Sequence, residues 1–260
     1  MRPIIKSLMA AIVFAVMIAP VASATPFCDS IDFNLRIWND CPTSVLTTVD
    51  NYDAYVSIED TQLGCPGYAN LHNWHLAVGG VEVPFNNTDD FALSATLKIS
   101  GTADGEAGLQ VAPWWSHDAD GRFNVRSTDG EIACFGGRLP FYSFTATYGL
   151  HYVKGELIRL TVIYLSHDLT QASPATIEYV LSYQGSTYFS GPLAFDEGNP
   201  AEGYGSWGML NDARVGAYCQ LFLQSGNYNA GVLVEWSNID FNPFSILTQD
   251  SSWSDVKALY

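Results

Sequence analysis

The stretch DGEAGLQVAPWWSHDADGRFNVRSTDGEIACFGGRLPFYSFT, residues 104–145, decides the fold. Its short apolar runs alternate with Asp-Gly and Gly-Gly breaks. Asp-Gly readily takes the backbone angles that a tight hairpin turn requires. The pattern predicts three or four consecutive antiparallel strands in the middle of a sheet, with the chain before and after packed around them.

The same signal extends outward in both directions. Residues 91–100 put Phe91, Leu93, Ala95, Leu97 and Ile99 on one face and Ala92, Ser94, Thr96, Lys98 and Ser100 on the other. Period two of this kind predicts one buried and one solvated face. Further strands are expected at 74–79, 107–112, 122–126, 131–135, 143–148, 157–165, 176–183, 186–190, 215–223 and 230–240, with weaker ones at 34–38 and 54–58. Outside the first 24 residues no helical period lasts more than two turns. Many short strands without helices mean an all-β antiparallel sandwich or jelly roll.

The start of the chain has a different character. MRPIIKSLMAAIVFAVMIAPVASA has a basic head, an apolar run and an Ala-Ser-Ala ending, which predicts a signal peptide over 1–24 cleaved near Ala24. The expected product is secreted, extracellular or periplasmic, with no membrane span. Residues 25–70 read as a Cys-containing edge segment, 71–245 as the sandwich domain and 246–260 as a C-terminal tail with Trp253 and Leu259 as its docking side chains. Hydrophobic residues make up 48% of the chain, enough for a large core. Beyond residue 24 there remain nine basic and 27 acidic residues, a formal charge of −18. Phosphate binding needs Lys and Arg, so nucleic acid and anionic membranes are disfavoured as partners, while neutral glycans, proteins and divalent cations stay open.

Of the five cysteines, Cys41 is expected to pair with Cys28 or Cys65, and Cys134 to be a buried thiol. Zinc is not expected, because no Cys-x-x-Cys pair exists and His72 and His75 lack a second ligand pair.

The strand density of 71–240, the 91–100 strand leading into EAGLQVAPWW, and the closing strands RVGAYCQLFL and AGVLVEWSNIDF together resemble the concanavalin-A-like lectin/glucanase superfold, including its laminin-G-like and pentraxin-like modules. The resemblance implies a jelly-roll sandwich. It also opens a choice among lectins, glycoside hydrolases, polysaccharide lyases and adhesion modules, because fold alone does not decide function. The Glu-x-Asp carboxylate strand of the hydrolase branch is absent. The nearest arrangements are Asp104-Gly-Glu106 and Asp129-Gly-Glu131, whose same-face carboxylates lie about 7 Å apart by strand rise alone. That spacing suits a two-carboxylate glycosidase using Glu106 with Glu131 or Asp104; the competing reading is an exposed turn. The Arg-rich and Gln-x-His strands of the alginate-lyase branch are not found.

Adjacent strand residues point to opposite faces, so one of Trp114 and Trp115 is expected to be exposed and free to stack on a sugar ring. Trp74, Trp207, Tyr142 and Tyr204 could extend that platform. Asp118 and Asp120 lie in an oxygen-rich loop that could hold calcium, and 196–202 is a second such loop. Arg138 is one of the few cations available to a ligand. Asn86-Asn87-Thr88 matches a glycosylation acceptor. The expectation is an exported carbohydrate-binding module that uses Trp114, Trp115, Glu106, Arg138 and Tyr142, with calcium as a possible cofactor. A carboxylate-based hydrolase or lyase, and an adhesion module binding an extracellular protein, are the alternatives.

Overall fold

Period two in the apolar residues is realised as two stacked antiparallel sheets. The computed structural model describes residues 25–37, 41, 43–61, 70–112, 121–137, 139–198, 203–222 and 230–243. The strands are β1 (Ser30–Asn34), β2 (Val45–Asn51), β3 (Tyr55–Thr61), β4 (Leu71–Val78), β5 (Val81–Glu82), β6 (Phe91–Gly101), β7 (Asp104–Ala112) and β8 (Arg122–Arg126). They continue as β9 (Ile132–Phe135), β10 (Tyr142–Ser143), β11 (Ile158–Leu165), β12 (Thr176–Tyr183), β13 (Ser186–Phe189), β14 (Leu193–Ala194), β15 (Arg214–Phe222) and β16 (Gly231–Pro243). The first sheet runs β1-β4-β15-β7-β8-β9-β10, with β5 on β4. The second runs β13-β12-β11-β6-β16-β3-β2, with β14 on β12. The chain is therefore an all-β antiparallel sandwich.

The opening stretch forms β7 to β10 as a meander of neighbours, reaching from the centre of the first sheet to its edge. Residues 25–61 contribute β1 as an edge of the first sheet, and β2 as an edge of the second with β3 beside it. The alternation in 91–100 holds on its apolar side, where every residue is at most 1% exposed. Large aromatics join the two layers. Trp74 of β4 meets Trp236 of β16 edge to face at 6.0 Å, and Phe123 of β8 meets Tyr179 of β12 at 5.5 Å. Pairs of this geometry contribute about 0.5–1.5 kcal/mol beyond the area they bury.

Residues 143–148 correct the strand expected there. Phe144–Tyr148 is a short helix, α1. Ser143 caps it by accepting from the Ala146 amide, and Gly149 ends it in the left-handed region at φ 71°. Local capping overrides β propensity because each end satisfies an amide that the next strand position would leave open. Cys28, Cys134 and Cys219 are buried free thiols, so the Cys28–Cys41 pairing is not formed. Cys65, the other expected partner, lies outside the described residues, as do the signal segment and the tail.

Candidate functional site

Polar residues alternate with apolar ones along four adjacent strands of the first sheet. Their apolar set enters the core, and their polar set therefore shares the outer face. The register fixes three rows. His75 on β4 faces Gly216 on β15, which faces Gln110 on β7, which faces Arg122 on β8. Asn73, Tyr218, Gly108 and Asn124 form the second row, and Leu71, Gln220, Glu106 and Arg126 the third. An outer sheet face is normally wet, but this one is not. Asn73, His75 and Tyr218 are fully buried, Gln110 and Asn124 are 1% exposed, and Glu106 and Gln220 are 6% exposed.

Glycine shapes this face. A Cβ on Gly108 would stand 1.7 Å from the Phe123 carbonyl oxygen, and one on Gly216 would stand 2.0 Å from that of Trp74. Both positions therefore stay without side chains, beside Tyr218 and Gln110 respectively.

The charges on the face are paired. Glu106 accepts from Arg122 Nη1 at 2.5 Å and from Asn124 Nδ2 at 2.7 Å. Arg122 also reaches Gln220 Oε1 at 3.4 Å and lies 4.6 Å above the Tyr218 ring. Arg126 binds Asp129 and Glu131. Arg214 binds Glu82 and Asp212. Glu82 also receives His75 Nδ1 at 2.9 Å. A carboxylate only accepts, so Nδ1 of His75 carries the proton that Glu82 receives. Burial alone would raise the Glu82 carboxyl, but the hydrogen bonds from Arg214 and His75 outweigh it and hold it below the usual range.

On this face the Tyr218 hydroxyl and Asn124 Oδ1 have no hydrogen-bond partner among the described residues. Asn124 and Arg122 stand close enough to the phenol to act against its burial, although neither reaches the hydroxyl within strict hydrogen-bond geometry. Burial, reinforced by the Glu106 charge, pushes the Tyr218 phenol well above its ordinary value, so it is a neutral donor.

Of the residues singled out from sequence, Glu106 lies on this face, held by Arg122 and Asn124. Asp104 is beside it along β7 and takes Lys154 at 3.4 Å. Glu131 is ion-paired to Arg126. Tyr142 is not brought to Glu106. It lies opposite Cys134 in register, on the core side of the sheet, and packs edge-on against Phe144 at 4.9 Å. Trp74 belongs to the core, and Tyr204 is exposed. Trp114, Trp115, Asp118, Asp120 and Arg138 lie outside the described residues. Among the described residues no group of three or more His, Cys, Asp or Glu side chains could hold a metal ion. No helix there is long and apolar enough to cross a membrane.

Sequence reasoning passed over Asn73, Gln110, Arg122, Asn124, Tyr218 and Gln220. The available signal was alternation in the minority class: Asn-x-His at 73–75, Arg-x-Asn-x-Arg at 122–126 and Tyr-x-Gln at 218–220 inside otherwise apolar strands.

No protein-family model matches the chain, and no curated protein does. Among solved structures, it is similar to the alginate lyase from Corynebacterium sp. at 8% identity and a TM-score of 0.47, over 83% of this chain and 94% of that one. It is similar to the seed lectin of Lotus tetragonolobus at 12% identity and a TM-score of 0.46, over 85% and 97%. It is also similar to the carbohydrate recognition domain of Emp47p at 9% identity and a TM-score of 0.44, over 86% and 92%.

Proposed function

We propose that this protein is an exported carbohydrate-binding module, released by cleavage near Ala24, whose ligand lies along the outer face of the first sheet. The observation that carries this reading is the rows of polar side chains on that face: Arg122, Arg126, Glu106 and Gln220 keep some exposure, and beneath them lie the Tyr218 hydroxyl and the Asn124 oxygen, which meet a ligand where the face opens. The hydroxyl seeks an acceptor and the oxygen a donor. Leaving either unmet costs roughly 1–3 kcal/mol. A sugar hydroxyl both donates and accepts, so a row of hydroxyls answers both. The preferred ligand is a neutral glycan or polysaccharide, because Arg122, Arg126 and Arg214 each already hold a carboxylate.

Trp114 and Trp115, which follow β7 directly in sequence, are assigned to stacking on sugar rings. Arg138, which follows β9, is assigned to a ligand hydroxyl, and Asp118 with Asp120 to a calcium ion. The paired-carboxylate enzyme has less support, since Glu106, Asp104 and Glu131 each carry a cationic partner.

A glycan array probed with the purified protein in calcium, and again in chelator, tests the reading. Selective binding to neutral glycans is the expected result. Loss in chelator assigns Asp118 and Asp120 to the metal, and survival assigns the affinity to the sheet face and the tryptophans. An array blank under both conditions contradicts the proposal.

A further inference from the structure

Three of the four sheet edges are short or capped. At the β13 edge the Phe189 carbonyl accepts from the Tyr148 hydroxyl at 2.9 Å and from that of Tyr142 at 3.4 Å. At the β10 edge only two residues pair before the chain turns into α1. The β1 edge is five residues long with Asp32 exposed at its centre. These are the usual ways in which a protein blunts an edge.

The fourth edge is different. β2 runs seven residues in unbroken register with β3, and among the described residues its only neighbour in the sheet is β3. None of its residues is buried, and Val45 and Val49 are 56% and 43% exposed. Leu46 is half-buried and the other six residues are exposed, so among the described residues the β3 ladder is what holds the strand. Its sequence, VLTTVDN, carries no proline, no lysine and no bulge. It is rich in β-branched residues, which suit pairing.

We propose that β2 is a dimerisation edge. Two copies pair antiparallel through β2 about a two-fold axis at Thr48, joining two eight-stranded sheets into one continuous sheet. Such an interface is self-complementary, as a two-fold contact must be. An axis at Thr48 sets Thr47 against Val49 of the second copy and Leu46 against its Asp50. The only charge in the strand therefore faces an apolar residue. Its twin is four residues further along, roughly 14 Å away by strand rise, beyond the distance at which physiological salt screens exposed charges. The alternating outward N–H and C=O groups of β2 then find partners without a change of fold. A lysine or glutamate at 48 would instead meet its own copy across the axis, where like charges repel.

Sedimentation of the purified protein over the micromolar range tests this. The parent is expected to be a reversible dimer. Thr48→Lys and Thr48→Glu, both at an exposed position, are each expected to weaken dimerisation about fivefold or more and to leave the melting temperature of the monomer unchanged. An equimolar mixture of the two restores the dimer, because opposite charges then face each other. A parent that stays monomeric overturns the proposal. So do variants that dimerise as the parent does, or a mixture that fails to recover.

Discussion

Asp60 sits 1% exposed at the end of the core, where a lone carboxylate would be costly. It is held by Asn70 Nδ2 at 2.8 Å and His72 Nε2 at 3.1 Å. The Arg36 amide donates to His72 Nδ1, so the ring proton must lie on Nε2, where Asp60 receives it. Arg36 also binds Ser44 and the Cys41 carbonyl, so this network ties Arg36, Cys41 and Ser44 to β3 and β4. Asp60→Leu strands both donors and is expected to cost about 3–5 kcal/mol in urea denaturation; a loss within error would mean that the network contributes nothing. The sequence reading weighed His72 only as a metal ligand. Its actual partner is 12 residues away on the neighbouring chain segment, a contact that only the sandwich topology creates.

At the scale of elements, the strands were legible wherever one physical rule dominated. In 91–100 the apolar set reads straight through to the core face of β6, but on the face expected to be solvated Ala92 and Ser94 are buried as well. Residues 143–148 were misread because a serine cap and a left-handed glycine count for more there than side-chain type. The polar rows of β4, β7, β8 and β15 were present as letters. Their meaning depends on four strands lying side by side, and strand order is not written in any single strand. Glycine makes the same point. Gly108 looks like a weak strand residue, yet β8 packs so closely that a side chain has no room. Gly108→Ala is expected to destabilise the protein by several kcal/mol through the β7–β8 ladder and to disorder Tyr218 and Asn124 beside it, as measured by thermal melts and amide exchange. A variant that melts like the parent would show that β8 can move aside.

For the molecule as a whole, compartment and covalent state belong together. The leader predicts export, where disulfides persist. With Cys28, Cys134 and Cys219 free, we assign the remaining pair, Cys41 and Cys65, to a disulfide. Burial pushes the Cys28 thiol up to about 12, with Asp29 adding to it, and holds Cys134 and Cys219 well above the ordinary thiol range. The native protein is therefore expected to resist a thiol-specific reagent at neutral pH, and the unfolded, unreduced protein to show three reactive thiols. Five would exclude the bridge. Acid should break the Arg126–Asp129 contact only late. The bond to Arg126 holds the Asp129 carboxyl down to about 2, so that contribution is complete above the ordinary carboxylate range and is lost as pH falls towards 2.

The central claim is that the outer face of the first sheet is built for a ligand and not for the fold, and Tyr218→Phe separates the two most directly. The hydroxyl has no partner within the described protein, so its removal is expected to leave the melting temperature unchanged or slightly raised. Binding of an array-identified glycan, followed by calorimetry, is expected to weaken about tenfold, the value of one lost hydrogen bond to the sugar. Unchanged affinity in a folded Tyr218→Phe protein would contradict the account.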